Sequence, residues 1–137
     1  YFSGTGTYRK TFALEEDEAH GLVRLALGQV GHVAEVRVNG KPIGVVWTAP
    51  WTADLTGLVK PGENELEIAV TNVWVNRLVG DAHLPAAKRF TRSNVRLFGE
   101  TDQFRRFQGF SPKDALEPSG LIGPVRIEFG KEQEVRF

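Results

Sequence analysis

Six residues in the middle of the chain carry side chains suited to recognising a ligand: Trp51, Asn72, Trp74, Asn76, Arg77 and Asp81. An indole offers a flat apolar face of the kind that stacks on a pyranose ring. Amides, a guanidinium and a carboxylate offer fixed donors and acceptors for hydroxyls. Each also has a plainer role. Trp51, beside Pro50 in a bend, serves equally well as core filling, and Trp47, at the end of an apolar strand, is expected to plug the interior. Asn72, Trp74 and Asn76 continue the inward parity of Leu66, Ile68 and Val70, so their polar groups need partners from the backbone or from a ligand. Arg77 and Asp81 either meet hydroxyls or pair with each other and pin their segment.

Bond-breaking chemistry is poorly supplied. The chain has no cysteine, which removes thiol nucleophiles, disulfides and thiolate metal sites together. No G-x-S-x-G elbow supports a serine nucleophile. His20, His32 and His83 are scattered without the spacing of a metal pair. No cofactor is expected. A structural calcium is the one ion left open, although Glu15 to Glu18 lacks the alternating oxygen spacing of a calcium loop. Gly4-Thr-Gly6 has no helix after it and is not a phosphate loop.

From Lys88 to Phe107 six basic residues stand among phenylalanines and face only Glu100 and Asp102. Such a run either tracks a polyanion or forms the solvated or partner-facing side of a loop. Across the chain 17 basic and 17 acidic residues cancel, so neither nucleic acid nor an anionic membrane is an expected partner. No apolar run approaches membrane-spanning length, and the first residues lack a signal peptide's apolar core. With no methionine anywhere, the chain is expected to be an excised or processed piece.

The positioning elements are strands. Ala34, Val36 and Val38 alternate with Glu35 and Arg37, Asn39-Gly40 supplies a two-residue turn, and Leu66, Ile68 and Val70 alternate with Glu65, Glu67 and Ala69. Val23, Leu25 and Leu27 form a further inward row. The entry strand carries Tyr8, Phe12 and Leu14 on one parity, and Lys10 interrupts them, which marks a bulge or an edge. Glu15 to Glu18 is expected as a solvated turn, Asp54 as the cap of a single helical turn, and Ser119 to Phe129 as one closing strand with Val125, Ile127 and Phe129 inward. Val75 to Pro85 shows no clean period. Ala82 to Gly109 reads as a long excursion, irregular apart from a short strand near Val95 to Leu97. The sum is one all-β domain over 1–137, with Val36, Val38, Leu66, Ile68, Val125 and Ile127 buried.

The order of these pieces resembles a known family. G-T-Y-R-K-T-F is followed by A-E-V-x-V-N-G, G-V-x-W, D-L-T-x-L-V-K-P-G-E-N and G-L-x-G-P-V, as in the sugar-binding β-sandwich of family two glycosyl hydrolases. Thr71 to Asp81, T-N-x-W-V-N-R-L-x-G-D, is similar to the C-terminal sandwich of bacterial α-L-rhamnosidase-type glycoside hydrolases. The resemblance implies a galactose-binding-like jelly-roll β-sandwich, a non-catalytic carbohydrate-binding or accessory domain. Its implied partners are carbohydrate and the catalytic domain of the same parent chain, itself periplasmic or secreted. Glycoside hydrolysis needs two carboxyl groups across a cleft. In the family these sit on a separate barrel, and the acids here lie mostly on outward parities or in turns. The competing reading is a purely structural interdomain domain, signalled by an apolar surface around Phe104, Phe107 and Phe110.

Overall fold

The computed structural model describes residues 1–91 and 109–130. They fall into two compact units. One comprises Thr5–Asn72 with Ser119–Phe137, the other Tyr1–Gly4 with Val73–Pro118.

The first unit is a β-sandwich. Its strands are β1 (Thr5–Leu14), β2 (Leu22–Ala26), β3 (Gln29–Val30), β4 (Val33–Val38), β5 (Lys41–Val46), β6 (Thr52–Asp54), β7 (Gly62–Thr71), β8 (Leu121–Gly123) and β9 (Arg126–Gly130), with a four-residue helix α1 (Glu16–Ala19) after β1. A four-stranded sheet runs β1-β7-β4-β5, a three-stranded sheet β6-β2-β9, and β3 pairs with β8; every pairing is antiparallel. Val23, Leu25 and Leu27 from the smaller sheet's side meet Val36, Val38, Leu66, Ile68 and Val70 from the larger sheet in one buried cluster. Alternation produces this, because a strand with one apolar parity can bury only that face.

The turn chemistry follows the residue types. Asn39 (φ 49) and Gly40 (φ 75) both take left-handed backbone, which matches the twist of a two-residue hairpin between β4 and β5. Asn39 also ties the hairpin to β7. Its amide N–H donates to the Glu65 carbonyl at 2.8 Å, and its Oδ1 accepts from the Glu65 N–H at 3.0 Å. Behind it Asn64 is buried with all its capacity used. Its Nδ2 donates to the carbonyls of Lys60 (2.7 Å) and Gly62 (3.0 Å), while Oδ1 accepts from the Lys60 N–H (3.0 Å) and Asn39 Nδ2 (2.9 Å).

Several expectations are corrected. At Lys10, of the two alternatives read there, the edge is the one found: β1 is the outer strand, and its register with β7 is unbroken from Thr5↔Thr71 to Leu14↔Gly62. Glu15 to Glu18 is no plain turn. It opens α1 with a reciprocal capping box, Glu18 Oε2 accepting the Glu15 N–H at 2.9 Å. The closing strand is two strands, since Pro124 has no N–H to give a ladder. Val125 therefore falls between them and is 38% exposed, and Phe129 is half exposed on the edge strand β9, whereas Ile127 packs against the core. Trp47 lies one residue beyond the edge strand β5 and is 70% exposed, so it plugs nothing. The strand expected near Val95 to Leu97 lies outside the described residues.

The second unit holds a helix α2 (Val75–Ala82) and a 3₁₀ turn at Ala86–Lys88. The stretch that showed no period is thus helical. Val75, Leu78, Val79 and Ala82 do stand at helical spacing, but over only eight residues, and the helix buries Asn76, Gly80 and Asp81 as well, so the short stripe went unread.

Candidate functional site

Four of the six candidates, Trp74, Asn76, Arg77 and Asp81, belong to the helical unit, and α2 sets their geometry. Trp74 precedes the first turn. The strand parity that was to carry it inward ends at Thr71, and the indole is 71% exposed. Asn76 faces the other way and clamps a distant backbone. Its Nδ2 donates to the Glu117 carbonyl at 2.8 Å, and its Oδ1 accepts the Glu117 N–H at 2.8 Å, the two-point pairing of a strand made by a side chain.

Arg77 and Asp81 are one turn apart, which places them on one helix face. Arg77 Nε lies 3.4 Å from Asp81 Oδ1 without hydrogen-bond alignment, and the guanidinium stacks 4.6 Å above the Phe90 ring. Asp81 is 2% exposed and accepts three hydrogen bonds: from the Phe90 N–H at 3.2 Å, the Thr91 N–H at 2.6 Å, and the Thr91 hydroxyl. Burial pushes its carboxyl up. The Thr91 and Phe90 bonds and the Arg77 charge outweigh that and hold it below the usual carboxylate range. The arrangement pins residues 90 and 91 to the helix.

Sequence reasoning missed Tyr1. Its hydroxyl pairs with His83 Nε2 at 3.0 Å and its ring lies 5.3 Å from the imidazole. Gly80 permits that approach, since a Cβ there would sit 2.4 Å from the Tyr1 Cβ. No local signal marks a contact across so many residues.

Trp51 and Asn72 belong to the sandwich unit. Trp51 has left-handed backbone (φ 58), accepts the Leu27 N–H at 2.9 Å through its carbonyl, and rests its side chain against the core. Asn72 is buried, and its Oδ1 accepts the Gly120 N–H at 2.8 Å.

The sandwich unit also carries a groove of about 590 Å³ over β6, β2 and β9. Arg24, Asp54 and Glu128 line it; the sequence marks Asp54 only as a turn cap and assigns none of the three a binding role. The outward parity of Arg24 between Val23 and Leu25 was visible, but which strands flank β2 was not. Among the described residues no group of three or more His, Asp or Glu side chains gathers to hold a metal.

A model of the glycosyl hydrolase 2 galactose-binding domain-like family matches residues 4–108. A Formosa agariphila protein provisionally named a β-glucuronidase is 40% identical over 93% of the chain. The solved structure of a rhamnosidase from Novosphingobium sp. PP1Y superposes on 92% of the chain with a TM-score of 0.75 and 38% identity. The chain spans 12% of the first protein and 11% of the second.

Proposed function

The chain belongs to the glycosyl hydrolase 2 galactose-binding domain-like family, and from that membership we propose that it is a non-catalytic domain that binds carbohydrate beside the catalytic domain of a glycoside hydrolase. The observation that carries this reading is the extent of the matches. The family covers most of the sandwich, and the same length of chain forms about an eighth of two proteins named as glycosidases. The division of labour is physical. In this reading the chain recognises carbohydrate, and the two carboxyl groups that glycoside hydrolysis needs belong to the parent's catalytic domain.

Of the six candidates, Trp74 is the one open to a sugar ring. Asn72, Asn76 and Asp81 already satisfy their polar groups within the protein, Arg77 sits between Asp81 and Phe90, and Trp51 leans on the core. These five shape the surface by holding their segments. The parent's partners in this reading are carbohydrate and its own catalytic domain.

A glycan array probed with the 137-residue chain tests the proposal. Retention of at least one glycan is expected. An array blank at high micromolar protein would leave only the second reading, an interdomain packing role. That reading has an observation in its favour: Trp47, Trp74 and Phe90 are each more than two-thirds exposed, as side chains covered by a neighbouring domain would be.

A further inference from the structure

The groove on the smaller sheet has the chemistry of a second recognition surface. Register sets its floor: Arg24 on β2 lies directly opposite Asp54 on β6 and directly opposite Glu128 on β9. The three form one cross-strand row, carboxylate–guanidinium–carboxylate, on the face turned away from the core. Hydrogen-bonded strands lie roughly 4.8 Å apart, so the groups repeat at that interval.

Charges so arranged would normally close on each other. Here they do not: among the described residues Arg24 makes no hydrogen bond and no ion pair with either neighbour. Asp54 Oδ1 instead accepts the Thr56 N–H at 2.9 Å, a local turn that holds the carboxylate in place. Thr52 adds a hydroxyl, and the exposed Leu22 lines the same groove with apolar surface.

We propose that this groove is a binding subsite for a neutral sugar. An acceptor–donor–acceptor row meets neighbouring hydroxyls, which both give and take hydrogen bonds, and Leu22, on the same outward parity as Arg24, faces the C–H side of the ring. A groove of about 590 Å³ is within the usual range of a small-molecule site. Charge sets the selectivity. Two carboxylates against one guanidinium leave the row net negative, so a uronic acid meets like charge while a neutral pyranoside does not. The site rests on the carbohydrate-binding reading above, and it lies on the sandwich and not on the segment with Trp74.

Amide resonances of the 137-residue chain, titrated with methyl α-L-rhamnopyranoside and separately with D-glucuronate, test this. The neutral glycoside should shift residues 22–24, 52–54 and 128–129, and glucuronate should leave them in place. Arg24→Ala and, independently, Glu128→Gln should each weaken the binding by about ten- to a hundredfold, the loss of one charge-assisted hydrogen bond. Both side chains are exposed, so the thermal midpoint should not move. Binding that survives both substitutions but disappears in Trp74→Ala would overturn the groove and leave the carbohydrate-binding function standing. Tighter binding of glucuronate than of the neutral glycoside would overturn the selectivity argument. No shift with either probe, together with a blank glycan array, would overturn both.

Discussion

Asp81 shows how a residue chosen for its recognition chemistry comes to serve the fold. A carboxylate on a helix surface is free to meet a ligand, but this one is buried with three donors around it and a guanidinium alongside. The bonds that hold it favour its charged form, so its pKa lies below the ordinary carboxylate value. The sign of the linkage follows. The unfolded chain binds the proton more readily, near pH 4 for a free aspartate, so the stabilisation is fully present above that pH and is lost as pH falls through the lower folded value. Acidification should therefore release the Phe90 and Thr91 amides, read as a loss of their hydrogen-exchange protection below about pH 4. Asp81→Asn should expose the same amides already at pH 7, because an amide has one acceptor where the carboxylate has two. Protection unchanged in Asp81→Asn would show that residues 90 and 91 are held by something else. Gly80 makes the complementary point on size. Gly80→Ala places a methyl against Tyr1 and should displace its ring from His83, visible as a change in the ring-current shifts of the His83 side chain.

At the scale of elements the two buried side-chain types behave differently. Ile68 sits mid-strand in β7, between the two sheets, and Ile68→Ala should cost roughly 2–5 kcal/mol through the cavity left and the transfer energy lost. A urea titration reads this directly, and a midpoint that does not move would place Ile68 outside the core. Asn64 is the polar counterpart. Asn64→Ala strands the Lys60 N–H and two carbonyls that it now satisfies, and each buried orphan costs about 1–3 kcal/mol. A loss well below that range would mean that water replaces the side chain. What was legible in the sequence divides along the same line. The inward rows of β2, β4 and β7 and the Asn39-Gly40 turn could be read, because period two and left-handed residues are local signals. The helix α2 was missed although Val75, Leu78, Val79 and Ala82 stand at helical spacing, because the stripe is two turns long and is interleaved with Asn76 and Asp81, whose partners lie 41 and up to 10 residues away. Trp47 and Trp74 were misplaced for one reason: strand parity was extended past the strand's last residue. The groove was invisible, since Arg24, Asp54 and Glu128 meet only through the pairing of β2 with β6 and β9.

For the whole molecule, composition and surface act together. The formal charge is +0 with a sequence pI near 7.0, so at neutral pH no net repulsion keeps copies apart. On this surface Trp47, Trp74 and Phe90 stand largely in solvent, apolar area that water would shed. In the longer parent proposed above a neighbouring domain would cover such side chains, whereas the separate chain offers them to another copy of itself. The 137-residue chain should therefore be least soluble near pH 7. Its solubility should rise as pH moves away from neutrality in either direction and a net charge builds up. Static light scattering on both sides of neutrality checks this, with the most negative second virial coefficient expected close to neutrality. Trp47→Lys should weaken the association by removing an exposed indole and adding a charge together. Trp47→Gln removes the indole alone, so the difference between the two variants separates apolar attraction from missing repulsion. If both variants associate as strongly as the wild type at pH 7, the indole at position 47 is not part of the contact. The contact then lies elsewhere, and Trp74→Gln tests next the surface that a neighbouring domain of the parent is proposed to cover.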